Sequence, residues 1–478
     1  MVWVCASAAD LIDMPTRMGR IHGDGMAKEL ATTSLHEVAE SGRRNNAVRL
    51  FPRRSAASHV TSVFLPFATG YFLSYLFRTI NGPIADRLIA AFHLDPASLG
   101  LLTSVYFLTF AACQLPYGPL VDRFGPRRVQ AAVLAVAVLG ATLFATAPNT
   151  PTLILARALI GIGTSGALMA GLKALALWVP QERRALANGS FIMFGGLGAM
   201  TSTVPVNLLL PLAGWRGVFL LLAAFTSASA LLVLFLVPEK RAAAPAEDWR
   251  RSLHGLLAVY KNPAFWRLAP LSGCVIGTAF AVHGLWAARW LADVDRFAPD
   301  HIASVVFAMG AGLTLGAGVI GVATDRLRRH GIPSTTTFVL ACVLFFALQA
   351  TVLDRLPLPA WLQWSAIASF GSMTVLSFSI MGELFPPEQI GRANGALNVL
   401  HLSMAFVLQY GMGLIASLWR PDPFGRLPVV AYRAAFALPL LLEITAFGCF
   451  VASISGGRRR HRRHSPRDET AITTEFIR

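Results

Sequence analysis

The strongest constraint in this chain is its division into uninterrupted apolar blocks of about twenty residues, the length at which a helix spans some 30 Å of hydrocarbon. Twelve such blocks can be marked, at 59–82, 97–117, 129–147, 150–177, 186–210, 216–237, 265–290, 300–322, 335–353, 360–382, 393–416 and 433–455. Inside a bilayer every backbone N–H and C=O has to be satisfied within the protein, which leaves helices or closed barrels. The blocks are continuously apolar and lack the alternation of a barrel strand, so the expectation is an all-α membrane protein. Only 14% of residues are charged, against about 25% in soluble domains.

The longest polar break contains "PEKRAAAPAEDWRRSLHGLL" and splits the blocks six and six. The expected order is a disordered cytoplasmic leader at 1–58, a six-helix bundle at 59–237 and a cytoplasmic linker at 238–264. A second six-helix bundle at 265–455 and a basic cytoplasmic tail at 456–478 follow. The leader lacks the order of a cleaved signal, and Met14, Met18 and Met26 are alternative starts within it. Arginines gather in alternate loops, at Arg123, Arg127 and Arg128, Arg183 and Arg184, Arg250 and Arg251, and Arg326, Arg328 and Arg329. Positive-inside then places both termini in the cytoplasm, in the inner membrane of a bacterial cell. The same loops account for the net charge of +16 without invoking nucleic acid. Five scattered cysteines show no metal or disulfide spacing, and no cofactor or metal is expected.

A repeat reinforces the division. "GPLVDRFGPRRV" from Gly118 is echoed by "GVATDRLRRHG" from Gly321, with Asp122 and Asp325 separated by 203 residues. "PQERRALANG" and "PPEQIGRANG" share their ending, with Asn188 and Asn394 separated by 206 residues. One six-helix unit is written twice. An acid followed by arginines in a tight connection can latch helix ends in one arrangement and release them in another. The gating candidates are Gly118, Asp122, Arg123, Gly125 and Arg128 in the first copy and Asp325 and Arg326 in the second.

On these residues the chain resembles the major facilitator superfamily over roughly 59–455. Gly118, Asp122, Arg123, Gly125 and Arg128 match its signature loop between spans 2 and 3, and "RALIGIG" is similar to its span-4 motif through Arg157 and Gly161. The resemblance implies two pseudo-symmetric bundles of six helices and a substrate held near the bilayer midplane between them, exposed alternately to each side. "FGGLGAMTSTVPVNLL" lacks the Gly-Pro of drug-exporting branches, which weighs against a drug and proton antiporter.

Arg78, in "GYFLSYLFRTING", is the cation whose place in an apolar block most needs explaining. Two readings stand: a boundary residue that snorkels to the headgroups, or a substrate ligand. The repeat offers Arg289 as a counterpart, 211 residues on, and Tyr75 and Trp286 each precede their arginine by three positions on one helical face. Two guanidiniums converging from opposite halves would clamp a carboxylate or phosphate. This arrangement resembles the organophosphate and phosphate exchangers of the superfamily. Tyr71 and His283 join the candidate set. Asn81, Gln114, Asn207, Asn398, His401 and Gln409 are cavity lining or interhelical glue, and Lys173 and Glu383 are expected to pair or snorkel near helix ends. Glu443 is the most deeply placed acid, on a span expected to be peripheral.

No nucleophile elbow, phosphate-cradling loop or HExxH pattern occurs in a usable context, so an enzyme is not expected. The expectation is a secondary transporter of a small organic or inorganic anion, with a small-molecule substrate, the lipid bilayer and a coupling ion or counter-anion as partners. Alternatives are a proton-coupled exporter of a neutral or cationic compound and a non-transporting membrane sensor.

Overall fold

A computed structural model describes residues 56–238, 249–423 and 426–463. Of the leader expected at 1–58, residues 1–55 fall outside the described residues, as do the end of the basic tail and 239–248 of the linker, while 56–58 already belong to the first helix. No strand occurs among the described residues. The chain runs through α1 (Ala56–Thr79), α2 (Asn81–Phe92), α3 (Pro96–Phe124), α4 (Pro126–Thr146), α5 (Thr150–Thr164), α6 (Ala167–Trp178), α7 (Gln181–Thr201) and α8 (Val204–Leu236). Within the expected linker lies α9 (Trp249–Lys261). Then α10 (Pro263–Ala281), a π-helical turn at Val282–Trp286 and α11 (Ala287–Asp293) make one long span. They are followed by α12 (Pro299–Arg329), α13 (Ser334–Leu353), α14 (Ala360–Gly371), α15 (Thr374–Leu384), α16 (Ile390–Ala416) and α17 (Val429–Arg463).

Local chemistry sets these boundaries. Proline occupies the first turn at Pro96, Pro126, Pro263 and Pro299, where a helix has no use for the missing N–H. Asp95, Asn149 and Asn262 cap their helices by accepting from the backbone N–H of Ser98, Thr152 and Ala264.

Among the described residues ten helical stretches are long and apolar enough to cross a membrane, and eleven when α1 and α2, bent by 48° at their junction, count as one. The block expected at 186–210 is present as α7 and the start of α8, broken at 202–203. The following block is separated from it only by Gly214, whose φ of 64° lies inside α8. A left-handed glycine turns the chain without a loop, so two crossings share one continuous helical assignment. Splitting α8 there recovers the expected twelve.

The α10–α11 span is the most enclosed of these segments, while α12 and α17 are the most open to the surroundings. Leu139, Leu212, Leu231, Phe235 and Leu441 stand well exposed, an apolar surface suited to acyl chains and not to water. Inside, α3 packs along α16, α1 along α7, α4 along α5 and α8, α12 along α14, and α10 along α16. Small residues set the closeness. A Cβ on Gly140 of α4 would stand 2.8 Å from the N of Ile160 and 2.9 Å from the O of Ala156 on α5. Backbone cannot retreat as a side chain can. Gly140→Ala should therefore lower stability by about 1–3 kcal/mol, whereas Gly189→Ala, which meets nothing within 4 Å, should be neutral or mildly stabilising. Thermal unfolding in detergent checks the pair, and equal melting temperatures would refute the packing argument.

Candidate functional site

The site starts from a proline. Pro83 has no N–H to give, and its ring crowds the carbonyl of Thr79, so the first span breaks between Thr79 and Asn81. The end of α1 is left with carbonyls that have no helical partner, deep inside the protein. Arg157 of α5, with no exposed surface, supplies the missing donors. Its Nη1 donates to the O of Phe77 at 2.6 Å, its Nη2 to the O of Arg78 at 3.4 Å, and its guanidinium sits 4.8 Å from the Tyr106 ring. Tyr106 in turn donates to the O of Ser74 at 2.9 Å. Gly161, one turn beyond Arg157, leaves room for this: a Cβ there would lie 2.6 Å from the O of Tyr106. The "RALIGIG" motif thus holds the broken span in place.

Arg78 stands at that break, only 7% exposed. It does not snorkel to a lipid boundary. Its guanidinium lies over Tyr75 at 4.4 Å, Phe280 at 5.0 Å and Phe110 at 5.3 Å, and it makes no ion pair among the described residues. Its Nε is buried without a partner. Tyr71 stacks on Phe191 at 5.0 Å and meets Tyr75 edge-on at 5.2 Å, extending the aromatic wall along the same helix. Cation–π contacts return about 0.5–2 kcal/mol each, while a buried ion costs several kcal/mol in lost hydration. The pocket around Arg78 is short of negative charge.

The second half contributes His283, in the π turn, whose Nε2 is also buried without a partner and which is an electrostatic neighbour of Arg78. The turn comes close: a Cβ on Gly284 would be 3.8 Å from the O of Arg78 and 3.9 Å from the side-chain amide of Gln409. Both amide atoms of Gln409 are likewise unpartnered. Four side-chain polar atoms from α1, the π turn and α16 are therefore enclosed without a hydrogen-bond partner among the described residues.

Arg289 is placed differently. Its Nη2 donates to both carboxylate oxygens of Asp293 at 2.8 Å, its Nη1 pairs with Asp86 of α2, and Tyr432 donates to Asp293 at 2.5 Å. The guanidinium is committed to two carboxylates and is not turned to the same cavity as Arg78. Trp286 donates to the backbone O of Gln409 at 3.1 Å and meets Tyr432 edge-on. The expected clamp of Arg78 and Arg289 is not assembled in this conformation. Sequence reasoning missed Asp86, Asp293, Tyr432, Phe110 and Phe280, although a signal was present: the repeat spacing. At 203–206 residues, Arg78 corresponds to His283, 205 residues on, and Arg289 corresponds to Asp86, 203 residues back. Both pairs are neighbours in space.

At the arginine-rich end, Asp122 pairs with Lys173 of α6 within the first set of six spans. In the second set Arg328 of α12 approaches Glu383 of α15 at 3.9 Å, and Ser334 donates to Glu383 at 3.2 Å. The acid is on the earlier helix in one copy and the later helix in the other. Gly125, with φ of 82°, makes the turn between α3 and α4; Arg123 lies over Phe124 at 5.2 Å, and Gly118 faces open space. Arg128, Asp325 and Arg326 are exposed. Several secondary candidates act as glue. Asn81 donates to Thr103, Gln114 to the O of Ser165, and Asn207 to Asp300, while His401 bonds Ser272 at 2.7 Å. Asn398 is half-buried. Glu443, fully buried, accepts from Gln349 at 2.6 Å.

Comparison with known proteins places this geometry in a context. The family described as Major Facilitator Superfamily matches residues 67–409. A probable sulfoacetate transporter, SauU, of Cupriavidus necator is 26% identical over 317 residues, covering 60% of this chain and 70% of that protein. The MFS-type transporter poxA of Penicillium oxalicum is 26% identical over 276 residues, covering 56% of this chain and 46% of that protein. Among solved structures, a bacterial homologue of the human lysosomal transporter Spinster, in an inward-facing and unoccupied conformation, overlays with a TM-score of 0.68 at 17% identity. The overlay covers 82% of this chain and 96% of that one.

Two predictions follow from the contacts. Arg157→Leu removes both donors to the carbonyls at the break and should cost about 1–3 kcal/mol for each carbonyl stranded; Arg157→Lys, able to reach one, should fall between. Around Arg289, Asp293→Asn leaves a buried cation half-matched and should cost about 3–5 kcal/mol. Asp86→Asn, at a side chain 69% exposed, should cost at most about 1 kcal/mol. Melting temperatures rank the four variants, and a cost for Asp86→Asn equal to that for Asp293→Asn would be incompatible with this assignment.

Proposed function

This chain belongs to the Major Facilitator Superfamily, and we propose that within it the protein carries a small organic anion, with Arg78 as the principal ligand. It is a multi-pass transporter in a lipid bilayer, acting on a small-molecule solute. The observation that carries the substrate class is the buried guanidinium of Arg78, faced by three aromatic rings and by no carboxylate. An anion would meet a permanent charge at Arg78 and the free Nε2 of His283, and the rings would cover its apolar part. A carboxylate or sulfonate fits this set, in keeping with the name of the Cupriavidus relative.

Arg289 serves closure in this reading. With Asp86, Asp293 and Tyr432 it ties α2 to α11 and α17 beyond the site. Rocking of the unit at 59–237 against the unit at 265–455 would open this network on one side and the arginine-rich end on the other, with both termini cytoplasmic in a bacterial inner membrane. A second reading, export of a larger compound, is favoured by the aromatic character of the walls and by the efflux names among the fungal relatives.

The discriminating measurement is thermal stabilisation of the purified protein by sulfoacetate, simple dicarboxylates and phosphate, with neutral and cationic compounds alongside. Anions should raise the melting temperature of the native chain, Arg78→Lys should weaken the effect about ten-fold or more through loss of the planar fork, and Arg78→Gln should abolish it. His283→Gln should weaken anion binding without altering the preference for charge. Stabilisation confined to neutral or cationic compounds, or an anion effect that survives Arg78→Gln, would rule the proposal out.

A further inference from the structure

On the outer wall of the second set of spans, far along the chain from Arg78, an open cleft of about 520 Å³ lies between the start of α10 and the later part of α17. That volume is in the ~300–1,000 Å³ range of small-molecule sites. One rim carries Lys261, the last residue of α9, and Arg267, in the first turns of α10. Both are exposed, and neither makes an ion pair or hydrogen bond among the described residues. Between them Trp266 is 49% exposed, its indole oriented by donation from Nε1 to the O of Tyr260 at 2.7 Å. Below the rim the lining turns apolar, through Pro270 on one wall and Ala446 and Phe450 on the other.

The level of this cleft is set by the sequence. Pro263 begins a membrane-spanning segment, so Lys261, Trp266 and Arg267 lie where that segment enters the headgroup layer, and Pro270 and Ala446 lie deeper. Cations and an indole at the surface above an apolar wall are the distribution an amphiphile presents in reverse. Beyond the cleft α17 continues as helix to Arg463, along a stretch that contains Arg458, Arg459, Arg460, Arg462 and Arg463.

We propose that this cleft is a binding site for an anionic glycerophospholipid of the leaflet at the arginine-rich end. The phosphate is held between Lys261 and Arg267, the glycerol backbone lies against Trp266, and one acyl chain runs down Pro270, Ala446 and Phe450. Two unpaired cations select a headgroup with net negative charge over a zwitterionic one, whose own ammonium they repel. The site requires only that the chain cross a bilayer, and it stands whichever solute is transported. Because its walls are α10 and α17, an occupied cleft joins the linker helix, the span that bears His283 and Arg289, and the last span at one point.

Cys449 lines this cleft and is exposed, whereas Cys274 and Cys342 are buried, so the chain carries its own reporter. The full-length protein is placed in nanodiscs of phosphatidylcholine alone or with phosphatidylglycerol, and modification of Cys449 by a bulky maleimide is followed by peptide mass spectrometry. Phosphatidylglycerol should slow modification by roughly ten-fold or more, and Lys261→Gln with Arg267→Gln should remove that protection while leaving the rate in phosphatidylcholine unchanged. Equal rates in the two lipids, or protection that persists in the double variant, would overturn the proposal. Protection in phosphatidylcholine by added glycerol 3-phosphate or inorganic phosphate alone would overturn it too, since the ligand would then be a soluble phosphate. Copurified phosphatidylglycerol, counted by native mass spectrometry, should fall in the same double variant.

Discussion

The grip of Arg157 on the carbonyls of Phe77 and Arg78 is the contact on which the rest of the site depends. A helix interrupted in the membrane interior exposes backbone groups that have no water to turn to, so an interruption survives only where another part of the protein satisfies them. Pro83 makes the interruption, and Arg157 makes it tolerable. The consequence is local and chemical: the side chain one residue before the break is held away from both lipid and solvent, and that side chain is Arg78.

Two arginines in one protein interior therefore have opposite roles. Arg157 gives its donors to backbone oxygens and serves the fold. Arg78 has aromatic faces and no acid among the described residues, and that unmet charge is what supports its proposed role as a ligand. Arg289 shows the third arrangement, a guanidinium saturated by Asp293 and Asp86, which serves as a fastening. The residue type is the same in all three. What differs is the acceptor that the neighbouring helix supplies.

Much of this was legible in the sequence and some was not, for identifiable reasons. Block length and continuous apolarity announced the helices, because the bilayer admits few alternatives. The blocks at 186–210 and 216–237 were separable in the sequence, although in the structure helix runs on through the single left-handed glycine, Gly214, that divides them. Arg78 was recognisable as costly, but its depth was not, because burial depends on the bend at Pro83 and on α3 and α10 closing over it. The partner chosen for it, Arg289, matched in residue type and missed in register. Asp86 lay at the repeat spacing from Arg289 and was passed over because it did not match in type, while His283 was a candidate without being seen as the repeat counterpart of Arg78.

That register has a bearing on how such a chain can have arisen. Positions that correspond in two copies of one unit, and that lie beside the axis relating them, face each other. Were the copies identical, each would confront its own likeness, and a charged residue there would be repelled by itself. At this junction one copy carries Asp86 and the other Arg289, so the bond between them exists only because the copies differ. An ancestor made of two identical halves would have had to hold this end together by some other means. Reversing the charge at either position alone would return the junction to the repulsion that divergence removed.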